Sequence, residues 1–313
     1  MSDDTDSQNA SSSTKTTRDG SPTPKTTAQQ VRSIFSIPPG LRRVFDKYPL
    51  VSYEGNDAPI RAPRTAHHHV LHIFTSEESA KSSKPSFNPS CLRYQTYLKF
   101  TRLEFLTTPS SNHASPSGSL PFLLPALSEK HGPLKLQEPV SANKLRKWLK
   151  NCKEAKPVEE PEDVRYEAYA SLVEDRIRKA WLYQLYLEPS NRSVVNRLYV
   201  SPCSSNTFVQ LTIHHQLRNA AIAQLSTTSS TIVESELLRN ADEAFSALSV
   251  LLGEDEYFFG QQGPGLFDAS LFAYTHLILS DDAISWKTNR LGEVLKKYSN
   301  VMRHQQRITE LYY

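Results

Sequence analysis

Residues 88–100 read Asn88-Pro-Ser-Cys-Leu-Arg-Tyr-Gln-Thr-Tyr-Leu-Lys-Phe100. An Asn directly before a Pro is the chemistry of a helix start, because the Asn side chain accepts an orphan amide hydrogen and Pro has none to leave unpaired. Cys91, Tyr94, Leu98 and Thr101 follow at helical spacing, which predicts one helix with an apolar face. Just upstream, His69-Val-Leu-His-Ile-Phe-Thr75 is a β-branched and apolar run that ends in a polar Ser/Glu/Lys loop, the pattern of a buried strand.

Working outward toward the C-terminus, Arg102–Thr108 reads as a second strand and Gly118–Leu124 as a third, with a Ser/Pro/Asn loop between them. Pro121 stands at the third strand's beginning, where no ladder amide is needed, and a cis Leu120–Pro121 peptide fits such a turn. Lys135–Val140 reads as a short fourth strand or turn. Ser141 then caps a helix through Lys144 to Cys152 that carries Leu145, Trp148 and Leu149 on one face. The order β-α-β then β-β-α spans 67–152. Residues 153–163, with Pro157, Pro161 and several acids, form a linker.

From 164 to 313 the periodicity is helical. Tyr166, Tyr169, Val173, Ile177, Trp181 and Leu185 recur every three or four residues, which predicts an amphipathic helix ended by Pro189. Further helices are expected at Asn206–Leu225, around Ala241–Leu252 with Gly253 closing it, at Leu291–Tyr298 and at Val301–Leu311. Gly265–Leu279 is apolar nearly all round, so it should be the buried centre of the bundle. Toward the N-terminus, residues 1–33 are Ser/Thr-rich with almost nothing to bury, the composition of a flexible tail. Residues 34–66 form a lead-in. In it Leu41, Val44, Phe45 and Tyr48 oppose Arg42, Arg43 and Lys47 on a short amphipathic helix that docks on the chain itself or on a partner or lipid surface.

The whole chain has 313 residues, long enough for two domains with a core in each. Its 36 basic and 33 acidic residues leave a formal charge of +3, too small to argue for nucleic acid. Cys91, Cys152 and Cys203 form no close pair, which fits a reducing compartment. No apolar run reaches the ~18 residues a membrane span needs, since Asp268 and His276 interrupt Leu266–Leu279. The acids Asp3, Asp4 and Asp6 argue against a secretory or transit leader. These features predict a chain facing the cytosol, with only peripheral membrane contact.

A strand feeding a helix that opens N-P-S-C resembles the start of a thioredoxin-like domain, with Asn88 at the first Cys position of that motif and Cys91 at the second. A thioredoxin-like half before a helical half is the glutathione-transferase-like architecture, α/β followed by all-α. The Leu120–Pro121 step, the Phe258-Phe-Gly260 turn and an Asn300-centred turn before the last helix agree with it. Within that group the wording N-P-S-C-L-R-Y-Q-T-Y-L-K-F at 88–100, Y-F-F-G at 257–260, L-F-D-A-S-L-F at 266–272 and Y-S-N-V-M-R-H-Q-Q-R-I at 298–308 resembles the metaxins and their fungal relatives, over about residues 41–313.

That resemblance implies a non-enzymatic, cofactor-free subunit of the sorting and assembly machinery (SAM complex) on the cytosolic face of the mitochondrial outer membrane. The expected partners are the barrel-forming core subunit, a second metaxin-like subunit and β-barrel precursors, whose β-signal the chain would help to recognise. No residue is assigned to partner binding from the sequence. A glutathione-binding enzyme and a generic scaffold are the alternatives.

The transferase alternative needs a hydroxyl or thiol at the first helix start and a Glu/Asp-Ser step after the fourth strand. The sequence reading sets Asn88 at the first place, with Ser86, Ser90 and Cys91 nearby, and Glu138–Pro139 at the second, where Pro offers neither hydroxyl nor amide. No catalytic residue is assigned. His67, His68, His69 and His72 lack an evident acid or Cys to complete a metal site and read as a polar strand start. His214 and His215 are adjacent on a helix and cannot share a face. Asp268 is expected to cap the central helix through its first amides, with Gly265 in place of the usual Ser or Thr. If a β-signal is read, a strand edge or the groove beside Pro121 is the expected place, because an extended peptide can add to a sheet.

Overall fold

Four strands, β1 (His69–Ile73), β2 (Phe105–Pro109), β3 (Phe122–Leu124) and β4 (Val140–Ser141), form a sheet in the order β2-β1-β3-β4 in the computed structural model. The structure describes residues 67–127, 138–227, 231–280 and 282–313. The expected tail (1–33), the lead-in (34–66) and most of the Lys135–Val140 segment lie outside them. All described residues belong to the compact unit Asn56–Tyr313.

β1 is parallel to β2 and antiparallel to β3. Parallel neighbours need a long crossover, supplied here by α1 (Glu77–Lys81) and α2 (Pro89–Phe100). The sequence predicts loop where α1 forms. It buries none of its residues and so carries no apolar period, and it is held by Ser76, whose hydroxyl accepts the Ser79 amide at 3.2 Å. The Leu120–Pro121 peptide before β3 is cis. After β4 comes α3 (Ala142–Asn151), with Leu145 and Leu149 buried.

The helical half opens with one continuous run, α4 (166–187), made of the segments Tyr166–Ser171, Leu172–Ile177, Arg178–Leu182 and Tyr183–Leu187. The second and fourth segments are wound as π-helix. This explains a sequence oddity: Val173, Ile177, Trp181 and Leu185 repeat every four residues, slower than the 3.6 of an α-helix, and would drift off one face. The wider π turns take up the excess, and all four stay buried at 2% exposure or less.

α5 joins Arg192–Val195 to a π turn at Asn196–Val200. The sequence periodicity does not predict it, although Val194, Val195, Leu198 and Tyr199 are buried. Then follow α6 (Thr207–Leu225), α7 (Glu234–Leu252), α8 (Leu266–Leu279), α9 (Arg290–Leu295) and α10 (Ser299–Tyr312). Gly253 ends α7 at φ 54°, a conformation that costs a glycine nothing. Asn300 falls inside the first turn of α10, not in a turn before it, and its amide bonds the Ser249 and Gly253 carbonyls.

α8 is buried from Leu266 through Ile278, as its sequence predicts. It packs against α2, and the C-terminus clamps the pair: Tyr313 hydroxyl meets Thr96 Oγ1 at 2.9 Å and Lys99 Nζ donates to the Tyr312 carbonyl at 2.8 Å. One core runs from Leu71 in β1 through Leu98 in α2 to Phe272 in α8. The halves therefore share a core where the sequence suggested one in each. Each fully buried Leu or Phe on this shared core contributes about 1.5–3 kcal/mol, so contacts across the two halves add to the stability of both. Among the described residues no helix is long and apolar enough to cross a membrane.

Candidate functional site

The start of α2 is where the sequence places any surviving thiol chemistry. Asn88 has extended backbone angles and its Oδ1 accepts the Cys91 amide at 3.2 Å, while Pro89 takes the first helical position. Its other side-chain atom, Nδ2, donates to the Tyr199 hydroxyl of α5 at 3.2 Å. The residue at the first Cys position of the thioredoxin-like pattern is thus spent on both atoms, one for the cap and one for the helical half.

The neighbouring groups are equally committed. Ser86 is fully buried and its hydroxyl donates to the Phe74 carbonyl at 2.5 Å while accepting the Asn88 amide. Cys91 is fully buried, and that burial pushes its thiol up to about 12, so it stays protonated and shielded. Tyr199 packs edge-on against Phe74 and Phe87 with centroids 5.4 and 5.3 Å away, and burial holds its phenol far above the ordinary value. An activated thiolate needs a free donor and solvent access. This helix start has an aromatic plug instead.

Ser90 is exposed and borders a cavity of about 160 Å³ between the halves, lined by Pro89, Arg93, Glu174, Arg178, Ser270 and Tyr274. Arg93 and Glu174, both in its lining, form an ion pair that joins α2 to α4.

The second transferase position requires a correction. Glu138–Pro139 precedes β4 and does not follow it, because the strand is Val140–Ser141 and α3 begins at Ala142. The strand-to-helix step is therefore Val140–Ser141: a hydroxyl is present there and the acid is missing. Nor does the Ser141 side chain cap α3; its Oγ donates to Asn143 Oδ1 at 2.6 Å.

His69 Nδ1 accepts the Ala126 amide at 3.0 Å, so its proton sits on Nε2 and is donated to Glu154 at 2.8 Å. His72 stacks on Phe122 at 4.3 Å. Among the described residues no three His, Cys, Asp or Glu side chains gather as metal ligands. His215 bonds Asn219 one turn on.

Asp268 differs in detail from expectation. Its Oδ2 accepts the Gly265 amide at 2.9 Å, but its Oδ1 accepts the Phe258 amide at 3.1 Å and faces His304 Nε2 at 2.8 Å. It ties the Phe258–Gly260 turn, α8 and α10 together, and the amide of Leu266 goes to Glu160 Oε1 at 3.3 Å. The Pro121 region is closed as a peptide groove: β3 lies between β1 and β4, and Leu120, Pro121, Phe122 and Leu123 are buried. The long edge of the sheet is β2, where Leu106 is 43% exposed.

Residues 89–191 match the glutathione S-transferase N-terminal domain and residues 241–308 match the glutathione S-transferase C-terminal domain. Metaxin-3 of Xenopus laevis is 27% identical over 239 residues, 73% of this chain and 73% of that protein. Metaxin-1 of Homo sapiens is 28% identical over 238 residues, 73% of this chain and 48% of its own length. A glutathione transferase structure from Phanerochaete chrysosporium superposes with a TM-score of 0.51 at 12% identity, covering 79% of this chain and 98% of that one, a likeness of fold.

Proposed function

The chain is a metaxin-like protein on a glutathione S-transferase fold, and from that premise we propose that it is a non-enzymatic subunit of the sorting and assembly machinery on the cytosolic face of the mitochondrial outer membrane. Its Ser/Thr-rich N-terminal stretch and the L-R-R-V-F-D-K-Y-P-L segment at 41–50 suit the thirty-five-kilodalton fungal metaxin-like subunit. Its partners are the barrel-forming core subunit, the second metaxin-like subunit and β-barrel precursors on their way into the membrane.

The observation that carries this reading is the sealed start of α2. A chain that keeps the transferase body, spends Asn88 and Ser86 on structural bonds and packs Tyr199 beside them keeps a surface to offer, with Ser90 left as the exposed hydroxyl at this helix start. Within the same proposal, β2 is the part of the sheet suited to a β-signal. An extended peptide gains main-chain hydrogen bonds by adding to an edge strand, and Leu106 gives that edge an exposed apolar contact.

The test is a pull-down of the tagged full chain from detergent-solubilised mitochondria. Recovery of the barrel-forming subunit with the second metaxin-like subunit is the expected result. Capture of an unrelated complex, or retention on glutathione resin with conjugating activity, overturns it. For the β-signal, a photoreactive probe at Leu106 should label with a signal peptide and one at Leu123 should not; labelling confined to the helical half rejects this part.

A further inference from the structure

α6 presents an unusual outer face. Phe208 is 82% exposed, Leu211 57% and Val209 43%, all within its first two turns, and the loop before it, 201–206, is uncharged. The helix rests on α4 and α5 through only one side, with Ala221 and Leu225 its buried residues. A helix face turned to water ordinarily carries charge; here Thr212, His215 and Asn219 are the polar groups that continue it.

The stretch of sequence that carries this face is one-sided in charge, and the nearest acids, Glu188 and Glu234, meet Arg218 around Tyr183 toward the far end of the helix. Between Glu188 and Glu234 there is no acidic residue in 45 positions, where a chain with 33 acids in 313 residues would carry about five. Arg192, Arg197 and Arg218 fall in the same window. Arg218 is held beside the helix by the Tyr186 and Leu187 carbonyls, and Arg197 by the Ile284 carbonyl. Arg192 and Arg218 lie close enough to His214 to add to the lowering of its titration that burial begins.

We propose that the first turns of α6, led by Phe208, Val209 and Leu211, are a membrane-contact surface that seats in the headgroup region of an anionic bilayer, with Arg192 and Arg218 supplying the attraction. An exposed aromatic with aliphatic neighbours enters the boundary between headgroups and acyl chains, and a surface of one charge sign steers it to anionic lipid. A solvated face gives no reason for Phe208 to stand outside. An acidic protein surface would satisfy the arginines but not three apolar side chains pointing outward. The surface goes beyond the assembly role and stands whether or not the chain belongs to that machinery.

Flotation of the purified full chain with vesicles separates the possibilities. With phosphatidylcholine vesicles containing phosphatidylserine it should float, with phosphatidylcholine alone much less, and added salt should reduce binding. The pair Phe208→Glu and Leu211→Glu, exposed enough to leave the fold intact by circular dichroism, should weaken binding about tenfold or more. Arg192→Gln should weaken it for the anionic vesicles only.

A nitrobenzoxadiazole label on the exposed Cys203, with Cys152→Ser removing the half-buried competitor, should shift to the blue on adding anionic vesicles. Unchanged flotation of the double variant overturns the proposal, as does failure of the wild-type chain to bind. Loss of a dimer in the double variant with lipid binding intact would assign the face to a second copy and overturn it too.

Discussion

Asn88 and Tyr199, 111 residues apart in sequence, are joined by a 3.2 Å hydrogen bond from side-chain amide to phenol that ties the first turn of α2 to α5. The same Asn side chain caps α2 through Oδ1. Asn88→Ala removes both bonds and should lower stability by about 1–2 kcal/mol, read as a shift of the urea midpoint. Asn88→Ser restores a capping oxygen and should recover part of that loss. It should gain no glutathione conjugation, because Tyr199 remains packed against Phe74 and Phe87. Turnover in the Ser variant would mean that the helix start is open after all.

Asp268 is 2% exposed and meets two backbone amides and His304. Asp268→Ala strips all three donors of their partner at once, in a place water does not reach. Removing one side of a buried pair costs about 3–5 kcal/mol, so this variant should be the least stable of the set and should fail to express as a folded chain or melt well below the others. His304→Ala, which leaves Asp268 its two amides, should lose less. Equal losses would show that the amide bonds contribute nothing.

These two sites differ in how far the sequence discloses them. The Asn-Pro pair announces the cap on α2, and thirteen consecutive buried residues of α8 are plain in an apolar run. Nothing near Asn88 announces Tyr199, because α5 follows a Pro that reads as a stop and Asn191 at its N-cap is bonded to Gln184, Lys287 and Thr288 instead of capping the helix. α1 escaped notice for the opposite reason: it has a cap in Ser76 but no apolar face. The Val140–Ser141 step was misplaced by two residues because Lys135–Val140 looked like a longer strand than the two-residue β4 that forms. Which strand forms the sheet's edge, and whether the groove beside Pro121 is open, cannot be read either, since strand order does not follow from strand periodicity.

The three cysteines should separate by burial alone. Cys203 is exposed, Cys152 half-buried and Cys91 buried with its thiol pushed up to about 12. A thiol-disulfide reagent added to the native chain should titrate Cys203 first, and Cys203→Ser should abolish that fast phase. Cys91 should react only as the chain unfolds, since both access and thiolate are denied to it. Rapid native labelling of Cys91, located by peptide mapping, would contradict the closed helix start.

His276 makes the fold sensitive to mild acid. It is 9% exposed on the inner side of α8, its Nδ1 accepts from Gln305 Nε2 at 3.1 Å, and burial brings its titration down from 6.5 to about 4. Between those values the unfolded chain holds a proton that the folded chain refuses. Stability therefore rises with pH across this window, and it is lost as pH falls from about 6.5 toward about 4. From about pH 7 to about pH 5 the loss from this one group should be about 2 kcal/mol. His276→Gln, which keeps a neutral polar side chain opposite Gln305, should flatten the pH dependence of the urea midpoint by that amount while leaving the neutral-pH value nearly unchanged. Superimposable pH profiles for the two proteins would show that the imidazole charges in place without strain, against its burial between Phe272 and Tyr313.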